Sequence, residues 1–241
     1  MFWGWWNPLY LIFMGPSMLL IMLAEAWVRS AYRRSLQVPN SRRVTGLQAA
    51  EEMMRYTGLG LRTQVIGGER TDNYDPRSDT LYLSQGVASS ASVGAAAIVA
   101  HELGHALQDE EQYAPMLVRS ALVAPVNFGS QLGLAMFFIG WVLSYFVNLP
   151  EVGQFVSWVG IAAFCLTVLF HLVTLPVEFN ASRRALVLLT DIELVGPDQM
   201  GMARNLLWAA ALTYIAQLAR AVSQVIYFVF MLSRGRSRRR R

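Results

Sequence analysis

Long apolar segments constrain the fold of this 241-residue chain more than any other feature. A helix needs about 20 apolar residues to cross a bilayer, and the hydrocarbon interior admits only structures that satisfy their own backbone hydrogen bonds. Segments of that length occur at Leu9–Val28, Ala121–Val147, Phe155–Val177 and Leu206–Leu232. Arg220 lies near the middle of the last segment and makes it the weakest candidate. The chain is therefore predicted to be a mainly α membrane protein with three or four membrane-associated helices.

The first apolar segment is predicted to be an N-terminal membrane anchor, residues 1–28. Ala24-Glu25-Ala26 resembles a signal-peptide cleavage site, but no basic residue precedes the segment, and its apolar run exceeds that of a typical signal peptide. An uncleaved anchor is the favoured interpretation. An aromatic belt is predicted at its start, formed by Trp3, Trp5, Trp6 and Tyr10.

A polar stretch, residues 29–120, separates the first two apolar segments and is predicted to form a small α+β domain. Thr45–Thr57 has a helical pattern, with Thr45 as a candidate cap and Gly58-Leu59-Gly60 at its end. Two strands are predicted, at Val65-Ile66 and Thr80–Ser84.

An extended peptide can bind by pairing with the edge of a strand, and we consider that role for residues 80–84. That role is a hypothesis, and an ordinary sheet strand is the alternative. The carboxylate-rich run Asp72–Asp79 does not have the spacing of an EF-hand, so it is predicted to be a turn.

The motif His101-Glu102-Leu103-Gly104-His105 has the form H-E-x-x-H. On a helix, residues i and i+4 share a face, so both imidazoles can reach one metal ion, while Glu102 lies about 100° around the helix. This is the arrangement of two zinc ligands and a general base in zinc hydrolases. Ser92 is a plausible N-cap of this helix. The alternative is a core helix with two hydrogen-bonded histidines, which we consider weaker because the chain has only 3 His.

A third ligand is expected, because catalytic zinc usually takes three protein ligands and leaves one position for water. Glu178 is the favoured candidate, since a carboxylate at the exit of an apolar segment is costly unless solvated, paired or metal-bound. Pairing with Arg183 or Arg184 is its alternative. His171 is the reserve candidate. Poorer candidates, which continue the motif helix past its metal face, are Asp109, Glu110 and Glu111.

Several blocks together resemble the YugP-like family of bacterial membrane zinc metallopeptidases. The blocks are Asp72–Pro76, Leu81–Ser84, Ala100–Gln108 and Leu175–Ala185. The resemblance extends over nearly the whole chain and implies a gluzincin-type peptidase with a small zincin-like catalytic domain. It implies one Zn²⁺ ion held by His101, His105 and Glu178, with Glu102 as the catalytic base.

A more distant similarity relates Glu178–Ser182 to the E-x-x-A-D block of HtpX-like peptidases. Ser182 stands where that block has Asp, a residue that would orient a zinc-ligating histidine. Ser182 or Asn180 is expected to provide a weaker substitute, unless another residue does so. Tyr113, Arg183 and Arg184 are only guesses for a residue that stabilises the oxyanion.

The predicted activity is zinc-dependent hydrolysis of peptide bonds in a protein or peptide substrate. The alternatives are an intramembrane zinc protease and a catalytically inactive metal-binding membrane scaffold. The first is disfavoured because polar residues bracket too short an apolar run around the motif, and the second because a scaffold has no need of Glu102. Arginines near the apolar segments predict that the catalytic side faces the cytoplasm, and the resemblance implies a bacterial plasma membrane.

The Arg-rich tail, residues 234–241, is expected to contact lipid headgroups rather than nucleic acid. It would emerge opposite the catalytic side if the fourth segment spans, and its side stays open, as does the oligomeric state. The remaining predicted divisions are a transmembrane hairpin, a third-ligand segment and a C-terminal apolar helix, at 121–177, 178–205 and 206–233.

Overall fold

The computed structural model describes residues 8–237, so Trp3, Trp5 and Trp6 of the predicted aromatic belt, and residues 238–241 of the tail, lie outside it. Most of the described residues are helical. The helices are α1 (Pro8–Gln37), α2 (Gly46–Thr57), α3 (Gln85–Ser89), α4 (Val93–Glu110), α5 (Ala114–Tyr145), α6 (Pro150–Asp191) and α7 (Met200–Ser237). The strands are β1 (Arg62–Ile66), β2 (Asn73–Asp75) and β3 (Thr80–Ser84). The predicted class, mainly α with a small sheet, is confirmed.

The described residues form two compact units. The apolar unit contains the residues up to Met22, Val118–Thr174 and the residues from Tyr214 onward, and the HExxH unit contains Leu23–Leu117 and Leu175–Thr213. Each has its own hydrophobic core, centred on the helix α4 in the HExxH unit and on Phe137 and Phe228 in the apolar unit.

Local signals fix the ends of two helices in the HExxH unit. The Thr45 hydroxyl accepts from the backbone N–H of Gln48, whose side chain accepts in return from the N–H of Thr45. This capping box satisfies two N–H groups that helix formation leaves unpaired. Gly58 ends α2 with φ of 76°, in the left-handed region. Ser92 caps α4 by accepting from the N–H of Ala95, as predicted.

The sheet has the order β1-β3-β2, with β1 parallel and β2 antiparallel to β3. All of β3 pairs with β1, its residues 80–82 pair with β2, and the N–H of Ser84 donates to Asp72. β3 is therefore a central strand, and the hypothesis that it binds a peptide by edge pairing is wrong. The turn prediction for Asp72–Asp79 is also partly wrong. Asn73–Asp75 form β2, and the turn consists only of residues 76–79. Pairing with β3 outweighs the turn-forming composition of this run.

The apolar unit contains helical segments that expose many large hydrophobic side chains, as a lipid-facing surface requires. Among the described residues, four helices are long and apolar enough to cross a membrane, namely α1, α5, α6 and the part of α7 up to Ser233. The fourth helix qualifies even though it carries Arg220. Small residues let α5 and α6 pack closely within this unit, since a Cβ on Gly133 would lie 2.7 Å from the carbonyl oxygen of Gly160.

Candidate metal centre

A glycine contact brings the HExxH helix α4 against α6. A Cβ on Gly104 would lie only 2.7 Å from the carbonyl oxygen of Ala181, closer than real Cβ atoms come to a backbone oxygen. Glycine therefore permits this approach, and any other residue would push the two helices apart. Glu178 lies one turn before Ala181 on α6, and Gly104 lies between the two histidines of the motif on α4.

His101, His105 and Glu178 form one compact group with candidate ligand atoms within 4.8 Å of one another. Oε2 of Glu178 lies 3.3 Å from Nε2 of His101 and 3.7 Å from Nε2 of His105. Glu178 is only 2% exposed and His105 only 8%. The structure thus brings together the three residues that the sequence analysis singled out as ligands.

The donor set and its spacing suit zinc. Two imidazole nitrogens and one carboxylate oxygen are the ligands of many catalytic zinc sites, which keep a fourth position for water. Ligand atoms about 2.1 Å from a tetrahedral zinc ion lie about 3.4 Å from one another. The two distances from Glu178 are close to this value, and the whole group, within 4.8 Å, is slightly wider. A nearly buried carboxylate among histidines also needs a cation or protons nearby to offset its lost hydration.

Each histidine has a polar partner on the ring nitrogen that faces away from Glu178. Ser182 Oγ lies 3.3 Å from Nδ1 of His101, and Gln108 Oε1 lies 3.0 Å from Nδ1 of His105. Ser182 thus contacts a motif histidine, as the sequence analysis anticipated for this position. Asn180 does so indirectly, because its Oδ1 accepts from the amide nitrogen of Gln108.

Glu102 lies beside the group and is held by a backbone donor. The N–H of Tyr74 on β2 donates to Oε2 of Glu102 at 3.1 Å. Burial is the largest of the effects that raise the pKa of Glu102 to about 7, with the charge of Glu178 adding to it and His101 opposing it. A carboxylate with a pKa near neutrality suits a general base.

The other sequence candidates lie elsewhere. The Asp109 carboxylate accepts from the Tyr74 hydroxyl, which also lies 3.0 Å from Asp79, and Glu111 forms an ion pair with Arg184 at 2.6 Å. The guanidinium of Arg184 holds the pKa of Glu111 below its usual range. Neither Glu110 nor the reserve candidate His171 belongs to a metal-ligating group among the described residues.

Tyr74 and Gln108 are site residues that the sequence analysis missed. Gln108 had a visible signal, because it lies one turn after His105 and therefore shares its helix face. Tyr74 had none, because it contributes its backbone N–H, and any residue except proline would offer the same group.

Comparison with known proteins identifies the family of the chain. The family model described as "Putative neutral zinc metallopeptidase" matches residues 10–233. The chain is 32% identical over 214 residues to the "Putative membrane protease YugP" of Bacillus subtilis (strain 168). These residues make up 88% of this chain and 92% of that protein. No solved structure is significantly similar.

Proposed function

The chain belongs to the zinc metallopeptidase family that matches residues 10–233, and from that premise we propose that it is a membrane-anchored zinc metalloendopeptidase. The protein is an integral membrane protein with four apolar helices of spanning length. The ligands we propose for a single zinc ion are His101, His105 and Glu178. The observation that carries the proposal is their convergence, with both Nε2 atoms turned toward Oε2 of Glu178.

The proposed reaction is hydrolysis of a peptide bond in a protein or peptide substrate. When bound, zinc supplies a Lewis acid that polarises the substrate carbonyl and lowers the pKa of water toward neutrality. Glu102 accepts the proton of the attacking water and later delivers it to the leaving amine. The Tyr74 N–H fixes the carboxylate of Glu102 in place for both transfers.

We propose that the HExxH unit faces the cytoplasm of a bacterial cell. Cytoplasmic segments next to membrane helices carry an excess of Arg and Lys. Seven arginines of the HExxH unit follow the first or the third apolar segment in the sequence, namely Arg29, Arg33, Arg34, Arg42, Arg43, Arg183 and Arg184. The connection between α5 and α6 and the first residues of α6, together residues 146–154, contain no arginine.

Cleavage of casein by the purified protein in detergent tests this function, with a chelator control and zinc re-addition. Glu102→Gln should lose cleavage by a factor of about 10² to 10⁴ and still bind one zinc ion, because a neutral amide cannot accept the proton. Glu178→Ala should lose both zinc and cleavage. Full activity of Glu102→Gln would refute the proposed base. A wild-type protein that binds zinc but cleaves nothing would instead favour the inactive scaffold.

A further inference from the structure

The side chain of Gln108 is fully buried and joins α4 to α6 by hydrogen bonds. Its Nε2 donates to the carbonyl oxygen of Val177 at 2.8 Å and to Oδ1 of Asn180 at 2.9 Å, and its Oε1 lies 3.0 Å from Nδ1 of His105. A backbone carbonyl can only accept, so the amide nitrogen must face Val177. The amide oxygen then faces His105, whose Nδ1 must carry the hydrogen.

The far end of this network has an equally determined orientation. Nε of Arg184 donates to Oδ1 of Asn180 at 2.8 Å, and a guanidinium only donates, so Asn180 must present its oxygen. The other two guanidinium nitrogens each donate to one carboxylate oxygen of Glu111 at 2.6 Å, a bidentate pair that fixes the plane of Arg184. Groups with a single hydrogen-bonding role thus determine every orientation between Arg184 and His105.

We infer that Gln108 is the positioning residue that prepares His105 to bind the metal. By accepting from Nδ1, the Gln108 amide selects the neutral tautomer whose lone pair is on Nε2, the atom that faces Glu178. Partners of this kind set the orientation and tautomer of metal-bound histidines. The inference rests on the proposed function, since it assumes that His105 binds zinc.

The two histidines differ in how strictly their partners act. A serine hydroxyl both donates and accepts, so Ser182 can adapt to either tautomer of His101. The amide of Gln108 cannot adapt, because reversing it would place its oxygen against the carbonyl of Val177. The tautomer of His105 is therefore fixed before the metal arrives, and Gln108 should contribute more to zinc affinity than Ser182 does.

Zinc affinity of the purified full-length protein, measured by competition with a chromophoric chelator, tests this inference. Gln108→Leu removes the acceptor, and Gln108→Glu keeps an acceptor for Nδ1 but loses the hydrogen bonds donated to Val177 and Asn180. Asn40→Ala is the control, because Asn40 is also buried in the HExxH unit but hydrogen-bonds Val44 and the carbonyl of Ser92, at the start of α4 and nine residues before His101. Thermal unfolding midpoints are recorded for all variants.

Gln108→Leu should bind zinc about 10- to 100-fold more weakly, whereas Gln108→Glu and Asn40→Ala should keep wild-type affinity despite lower unfolding midpoints. Wild-type affinity in Gln108→Leu, or an equal loss in Asn40→Ala, would overturn the inference. If Gln108→Leu does not fold, Gln108→Glu decides, because weakened zinc binding there contradicts a role as acceptor and retained binding supports it. Failure of the wild type to bind zinc would refute the proposed function itself.

Discussion

Gly104 is the residue whose size sets the distance between α4 and α6. A methyl group at this position would meet backbone atoms of Ala181, and backbone cannot move aside as a flexible side chain can. We expect Gly104→Ala to lower the free energy of unfolding by about 1–3 kcal/mol, the usual range for overpacking. It should also weaken zinc binding, because the carboxylate of Glu178 would move away from the two histidines. Denaturant unfolding and chelator competition measure the two effects.

Gly201→Ala is the control for that substitution. Gly201 also lies on a helix of the HExxH unit, but no atom within 4 Å would meet its Cβ. Alanine there should leave the free energy of unfolding unchanged or raise it slightly, since glycine loses more backbone entropy on folding. If Gly104→Ala and Gly201→Ala behave alike in stability and zinc binding, the contact between Gly104 and Ala181 does not position Glu178 beside the two histidines.

Sequence reasoning reaches site residues whose role follows from local spacing. His101, Glu102 and His105 were predicted because helical periodicity alone puts the histidines on one face, and Glu178 because of its costly position beside an apolar segment; the structure brings the two histidines and Glu178 together. The tautomer-fixing role of Gln108 could not be identified. It depends on the carbonyl of Val177 and on Asn180, which are 69 and 72 residues away in sequence.

At the scale of elements, α5 and α6 depend on glycine contacts within the apolar unit. Gly133→Ala would place a Cβ against the carbonyl oxygen of Gly160, and lipid offers no hydrophobic driving force to offset the lost packing. We expect the free energy of unfolding to fall by about 1–3 kcal/mol, which a lower thermal unfolding midpoint in detergent would show. Gly15→Ala, where no atom within 4 Å would meet the new Cβ, should leave the midpoint unchanged or raise it. An unchanged midpoint for Gly133→Ala would show that the contact does not support this helix pair.

Strands and helices differ in how far the sequence predicts them. The cap residues of α2 and α4 lie within three positions of the N–H groups that they satisfy, so these helix starts could be read directly. The position of β3 between two neighbours could not, because pairing with Arg62–Ile66 and Asn73–Asp75 joins residues that are not adjacent in sequence. The run rich in turn formers contains β2 because its last four residues, 76–79, form the turn of a hairpin that pairs β2 with β3.

At the scale of the whole molecule, hydropathy identified the membrane helices but not their lengths. The third apolar segment was predicted to end at Val177, yet α6 continues to Asp191. The continuation carries Glu178, Asn180 and Arg184, whose polarity ends the hydropathy signal without ending the helix. Helical hydrogen bonding does not require apolar side chains, so a hydropathy boundary marks a change of surroundings rather than the end of an element.

The distribution of arginines along the chain predicts the orientation of the protein in the membrane. Two single cysteines, introduced in a Cys165→Ser background, report the two sides: Arg77→Cys in the exposed turn of the HExxH unit and Glu151→Cys at the exposed start of α6. In intact cells, a membrane-impermeant maleimide should label the cysteine at position 151 but should reach the one at position 77 only after permeabilisation. This follows because arginines flank the HExxH unit and are absent from residues 148–154. Labelling of position 77 alone in intact cells would show that the HExxH unit lies outside the cytoplasm. The substrates of the enzyme would then be extracytoplasmic proteins.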